Sequence, residues 1–234
     1  MKHVITDNRI DKKCEIGLRE RGFEPIKLPP FSALQKPVSG HPDMLLFLGG
    51  GRLVCHSDYF AVAKKEISFI TDITGAELIL TRDAVDSEYP RDVIFNAAAV
   101  GKWLVCRRDV ISPAVAELYS KNMIINVKQG YAKCSVCVVN DNAIITADPS
   151  IAKAAGEKGM DVLSVSPSGV RLDGYDCGFI GGASGADNDN VYFCGNIDLH
   201  PDGEIIKDFC RKHGKSAVSL SDEPLYDYGT LIFT

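Results

Sequence analysis

Eight side chains in this sequence carry the elements of one chemistry. Cys177 lies in Gly174-Tyr175-Asp176-Cys177-Gly178, flanked by small and acidic residues. Arg91 and Lys133 supply a positive field that lowers a thiol pKa and favours the nucleophilic thiolate. His41 is the imidazole expected to carry protons. Asp43, Asp176 and Asp227 are the carboxylates expected to hold a cationic ligand, with Tyr228 beside them. The set describes a thiolate that attacks a polar, positively charged small molecule. The same residues have a plainer reading: Cys177 as a small strand residue, and the three carboxylates as ion-pair partners of Arg91 and Lys133 across a channel.

Something must bring these eight residues together, since they are scattered over most of the chain. Internal repetition supplies it. Val4-Ile5-Thr6, Leu53-Val54-Cys55, Leu104-Val105-Cys106, Ile144-Ile145-Thr146 and Tyr192-Phe193-Cys194 align, with a small Thr or Cys third in each. A helix-start signal follows, clearest at Asp148-Pro149 and Ser112-Pro113. Apolar residues at helical spacing come next, as in Ile151, Ala154, Ala155 and in Ile205, Phe209, Cys210. Gly22, Gly159 and Gly214 then close three of the helices before a further strand.

Upstream of these units lies a second aligned series. It begins at His41, Tyr89, Tyr131, Tyr175 and Tyr226 and continues as an apolar run to a Gly or Asn turn. The repeating unit is strand, hairpin, strand, helix, strand. Position two after each anchor is Asp43, Arg91, Lys133, Cys177 or Tyr228, so the repeat gathers these five, with His41, Asp176 and Asp227 as their neighbours, around one channel mouth. The first unit lacks its leading strand. Leu225 to Thr234 is expected to supply it by pairing beside Val4-Ile5-Thr6, which leaves no exposed sheet edge. Residues 1–234 read as one domain, with "VSPSGVRLDG" and "ITGAELILTRDAVDSEYP" as connections between units.

Bulk composition narrows the function. The chain has 234 residues, 45% of them apolar and 24% charged, and a net charge of -5. Those values fit a globular α/β protein and argue against a nucleic-acid partner, since no strong positive field would gather phosphates. No apolar run is long enough to span a membrane, and no secretory leader precedes the first strand, so a cytoplasmic location is expected. The eight cysteines read as reduced thiols. Cys134 and Cys137 form C-x-x-C, but in a strand they point to opposite faces, which opposes metal or redox pairing. Cys14 and Cys210 fall on apolar helix faces. His56-Ser57-Asp58 and Asp198 to Gly203 read as helix caps, not as a metal site or triad. "GGGR" and "GGASGADNDN" read as hairpin turns, the second long enough to be a lid. With no phosphate loop and no dinucleotide fingerprint, no cofactor is expected.

The five repeats, with the closing tail, resemble the pentein fold of guanidino-group-modifying enzymes. Within it, "YDCGFIGGASG", "VYFCGNIDLHPDG" and "LYDYGTLIF" are similar to an uncharacterised bacterial branch. That resemblance implies a five-bladed α/β propeller of β-β-α-β units closed by the C-terminal strand. It implies a Cys-dependent hydrolase or transferase acting on a small guanidino or amidino molecule. It also allows a non-catalytic pentein that binds a small ligand or a protein or ribosomal partner. In the enzymes the Cys starts the closing strand and the His opens an inner strand before a Lys. Those places read Tyr228-Gly229-Thr230 and Tyr131-Ala132-Lys133 here.

Overall fold

The computed structural model describes residues 2–234. Its core is built from runs too apolar to tolerate water on either side. Leu53, Val54 and Cys55, then Leu104, Val105 and Cys106, then Ala143, Ile144 and Ile145, are all fully buried. A strand buried on both faces reads as a continuous apolar run and needs a neighbour on each edge. Each of these runs is the middle strand of a three-stranded sheet. The small residue third in the pattern, Thr6, Cys55, Cys106, Thr146 or Cys194, is at most 1% exposed in every unit.

In chain order, β1 (Lys2–Asp7), α1 (Lys12–Glu20) and β2 (Phe23–Leu28) are followed by α2 (Pro42–Leu45). The second sheet comprises β3 (Leu46–Gly49), β4 (Arg52–His56) and β5 (Glu77–Thr81), with α3 (Ser57–Val62) and α4 (Lys64–Thr74) between the last two. The third comprises β6 (Ala98–Val100), β7 (Trp103–Cys106) and β8 (Ile124–Asn126), with α5 (Pro113–Ala116) before β8. After α6 (Ala132–Ser135) the fourth comprises β9 (Val136–Asn140), β10 (Ala143–Thr146), α7 (Pro149–Gly156) and β11 (Asp161–Ser164). Then come β12 (Val170–Arg171), β13 (Ser184–Ala186), β14 (Asn190–Phe193), α8 (Gly203–Lys212), β15 (Ser216–Ser219), β16 (Leu225–Tyr226) and β17 (Ile232–Phe233).

Four sheets have one plan. The middle strand pairs antiparallel with the strand before it and parallel with the strand after the helix. The fifth obtains the same plan from distant parts of the chain. β1 pairs parallel with β2, and antiparallel with β17 through Val4 opposite Phe233 and Ile5 opposite Ile232. A short parallel pair, β12 with β16, links the loop after β11 to the approach to β17. Each three-stranded sheet is separate, and none closes on itself.

Local chemistry accounts for the helix starts. Asp11 accepts from Lys13 N at 2.7 Å, Asp148 accepts from Ser150 N and Ile151 N, and His56 Nδ1 accepts from Asp58 N at 3.1 Å. Ser112 departs from expectation. It precedes Pro113, yet its hydroxyl donates to Asp83 and caps nothing. Two further expectations are corrected. Residues Glu77–Thr81, read as part of a connection, form β5, because Leu78 to Thr81 continue a parallel ladder with Leu53 to His56. The leading segments are not strands from their aromatic anchors onward. Two of them open as short helices, α2 and α6, and the strands begin later. Pro42 at the first helical position explains α2, since it lacks the N–H that a ladder requires.

The first strands approach one another at glycines. A Cβ at Gly185 on β13 would lie 2.1 Å from Leu231 O, next to β17. Gly185→Ala should therefore destabilise the protein by about 2–4 kcal/mol in urea denaturation. Gly156→Ala, where nothing lies within 4 Å of the added carbon, should be neutral or stabilising by ~0.5 kcal/mol.

Candidate functional site

The turns that lead into the first strands of the five sheets meet, and Asn96 ties them. Its Oδ1 accepts the backbone N–H of Lys133 at 2.7 Å and of Cys134 at 3.2 Å. Its Nδ2 lies 3.3 Å from Asp43 O and 3.1 Å from Cys134 Sγ. One fully buried amide thus holds α2, the approach to β6 and α6 together. Asp43 N donates to Gly229 O at 3.2 Å, and Gly182 N donates to Cys134 O at 2.9 Å. Tyr228 N and Thr230 N both donate to Gly182 O. These bonds link all the turns.

Three carboxylates are sealed inside this arrangement, each at most 2% exposed. Asp7 faces the Arg9 guanidinium, with Nε at 2.9 Å and Nη2 at 2.5 Å. Asp227 accepts from Phe179 N and from Gly229 N, both at 2.9 Å. Burial raises its pKa above the ordinary carboxylate range, partly opposed by His41. Asp43 accepts from the Cys134 thiol at 3.1 Å through Oδ2, while its Oδ1 has no partner. Burial lifts the Asp43 pKa to about 6 against the pull of Lys133. The Cys134 thiol is pushed far up by burial and by Asp43, so it is a proton donor at neutral pH.

His41 stands between two of these acids. Its Nδ1 is 3.8 Å from Asp227 Oδ1 and its Nε2 is 3.9 Å from Asp7 Oδ2. Those distances would count as ion pairs only for a protonated ring. Burial lowers the His41 pKa, and this outweighs the two carboxylates that raise it. The imidazole is therefore neutral at pH 7, and both contacts exceed hydrogen-bond length. Nδ1 has no partner.

Thr230 has a positive φ of 76°, a strained conformation for a β-branched residue. Two hydrogen bonds hold it there. Its Oγ1 lies 2.9 Å from Ser184 O and 2.6 Å from Lys133 Nζ. Tyr131 donates to Asp92 Oδ2 at 2.5 Å and stacks between Tyr89 and Phe179, with ring centroids 5.7 and 5.9 Å away.

The expected site residues divide between cavities. A cavity of about 120 Å³ is lined by His41, Cys177, Asp227, Tyr131, Phe179 and Cys134, among others. A groove of about 610 Å³ reaches the other side of His41 and is bordered by Tyr228, Tyr226 and Arg9. Asp43 and Lys133 instead border a third cavity, of about 200 Å³, beneath the first strands. Arg91 and Asp176 do not join them. Both are exposed, and Arg91 pairs with Asp86 at 2.7 Å. The turn before β6 directs Asp92 and Asn96 inward, so Arg91 points to water and is not placed to lower a thiol pKa at the cavity. Cys177 is the one exposed cysteine among the eight, in a loop seven residues before β13 and not on a strand.

Sequence reading missed Asn96, Asp7 and Cys134. Cys134 was assigned to a strand, where it lies in α6 with its sulfur in the central cluster. The Asn-Ala-Ala-Ala run after a buried apolar pair held a signal for Asn96, since an amide among small core residues must find several partners.

A family of unknown function (DUF6873) matches residues 5–232. No match was found among the curated proteins. Among solved structures, a dimethylarginine dimethylaminohydrolase from Pseudomonas aeruginosa, a Cys-to-Ser variant complexed with citrulline, is similar at TM-score 0.58 and 9% identity, covering 94% of this chain and 92% of that one. A His-to-Gly dimethylarginine dimethylaminohydrolase, as its adduct with S-methyl-L-thiocitrulline, is similar at TM-score 0.60 and 8% identity, with 94% and 92% covered. An amidinotransferase from Microseira wollei, of the saxitoxin biosynthetic pathway, is similar at TM-score 0.51 and 10% identity, with 94% and 88% covered. At such identities the likeness is one of fold: this chain has a mixed α/β fold of the pentein kind.

Two outcomes follow from the cluster. In the unfolded chain the Asp43 carboxyl titrates near 3.8, and in the folded protein near 6. Folding therefore takes up a proton between those values. The group's contribution to stability is lost as pH rises through that window, by about 3 kcal/mol in all. Asp43→Asn should gain about 2–2.5 kcal/mol on the wild type between pH 4 and pH 7 in urea denaturation, and a pH-independent difference would mean that Asp43 titrates normally. Asn96→Ala strands two buried N–H groups and should cost about 3–4 kcal/mol in the same measurement.

Proposed function

The chain belongs to the family of unknown function DUF6873, and we propose that it is a pentein that takes a small guanidino- or amidino-type cation in the cavity beside His41. Residues 1–234 form one domain in this reading, a five-bladed α/β propeller whose last blade is completed by β17. The register of Ile5 with Ile232 supports that closure.

The observation that carries the proposal is the composition of the cavity. The lining includes the buried Asp227 carboxylate, the rings of Tyr131 and Phe179, and Cys177. A planar delocalised cation satisfies both kinds of wall at once. Its N–H groups donate to the carboxylate, and its face stacks on an aromatic ring. A neutral His41 with a free Nδ1 completes what a Cys-dependent step requires. The imidazole takes the Cys177 thiol proton, and the sulfur bonds to the central carbon of the cation. The C–N bond to the leaving amine then breaks as the imidazolium returns the proton to that amine. Water, or a second amine in a transferase, next attacks the carbon, and the C–S bond breaks to release the thiol.

A second, non-catalytic reading rests on a separate observation. Tyr228-Gly229-Thr230 and Tyr131 stand where the resemblance places the enzymes' Cys and His, and Thr230 and Tyr131 are bonded internally, to Lys133 and Asp92. In that reading the cavity binds the cation and leaves it unchanged.

Labelling with 2-chloroacetamidine, followed by intact-mass measurement, tests the proposal. Cys177 should react at least tenfold faster with it than with neutral iodoacetamide, each rate taken relative to glutathione. Cys177→Ala should abolish the adduct, and Asp227→Asn should remove the preference. Methylguanidine should raise the melting temperature and protect the thiol. Thermal stabilisation without any amidine preference would leave only the non-catalytic reading. The absence of both would overturn the proposal.

A further inference from the structure

We propose that the cavity of about 200 Å³ beneath the first strands is a second ligand site, which takes a small apolar molecule carrying a neutral carboxamide head. Every sheet contributes to its wall. Leu48, Ala99, Val138, Ala186 and Phe233 come from or adjoin β3, β6, β9, β13 and β17, and all are apolar. The floor is different. It consists of Asp43, Lys133 and Thr230, the only charged or hydroxyl-bearing residues on the lining. The apolar wall suits a hydrocarbon tail, and the polar floor suits a head group that can hydrogen-bond.

The floor has unfilled hydrogen-bonding capacity of both signs. Lys133 Nζ has three hydrogens. It contacts Thr230 Oγ1 at 2.6 Å and Val136 O at the long distance of 3.4 Å, which leaves a donor to spare. Asp43 Oδ1 is buried and accepts from nothing. A carboxamide matches that pair, because its carbonyl accepts from the ammonium and its N–H₂ donates to the carboxylate. A carboxylate head would set a like charge against Asp43, and an ammonium head would do the same against Lys133. A hydrocarbon would satisfy neither group.

This site is distinct from the cavity beside His41. The hydrogen bond from Cys134 to Asp43 at 3.1 Å lies between them, with Cys134 lining one and Asp43 the other. The inference therefore stands whether or not the chain modifies a guanidino compound.

Hexanamide, hexanoate and hexylamine, titrated into the full chain at pH 7 by calorimetry, test it. Hexanamide should bind saturably at one site, at least tenfold more tightly than either charged analogue. Ala99→Phe and Ala186→Leu each fill the void from a half-buried wall position. Either variant, its fold verified by circular dichroism, should abolish the binding. Cys177→Ala should leave it unchanged. No saturable binding of hexanamide, binding that survives both wall variants, or a charged analogue binding as tightly would overturn the proposal.

Discussion

Three carboxylates with almost no access to water set the terms for everything around them. A buried carboxylate is tolerated only where fixed donors replace its hydration. Asp7 meets this demand with a guanidinium, Asp227 with two backbone N–H groups, and Asp43 with a thiol beside an ammonium. The surrounding glycines follow from these solutions. A Cβ at Gly40 would lie 2.7 Å from Asp7 Oδ1, and one at Gly182 would lie 2.0 Å from Asp227 Oδ1. One at Gly229, whose φ is +70°, would collide with His41. The backbone comes this close because only glycine lets the turns reach the acids.

The same constraint shapes the electrostatics of the centre. Desolvation raises Asp43 and Asp227 and lowers His41, so all three are driven toward their neutral forms. Opposite charge limits this for the acids and fails to reverse it for the imidazole. The result is a neutral base between two acids, Asp7 and Asp227, with a third acid, Asp43, that keeps one oxygen without a partner. Two cavities lie on either side of the Cys134–Asp43 bond, one polar at His41 and Asp227, the other at Asp43, Lys133 and Thr230.

Much of the fold was legible because it is local. The apolar triplets with a small third residue are the middle strands, and the Asp11, Asp148 and His56 caps lie within a few residues of the donors they satisfy. The pairing of Val4-Ile5 with the chain's far end was legible from the repeat, as the one unit short of a strand. The site was legible only in part. His41, Asp43, Lys133, Asp227 and Cys177 border the cavities, whereas Arg91 and Asp176 face solvent, because their distance along the chain from an aromatic anchor does not fix where the intervening turn points them. Asn96 and Cys134 matter through partners thirty-eight residues apart in sequence, and no local pattern announces such a contact.

The strand pair between residues 4–5 and 232–233 also bears on how the molecule assembles. Each of the other four three-stranded sheets is finished within a short stretch of chain, so its strands meet after closing modest loops. The sheet that contains Val4 must wait until residues 232–233 have emerged, and until then β1 has β2 on one side and nothing on the other. Closing so long a loop is entropically slow. Strand β1 is thus complete later than the middle strands of the other sheets, and its open side is where a nascent chain is exposed to wrong partners.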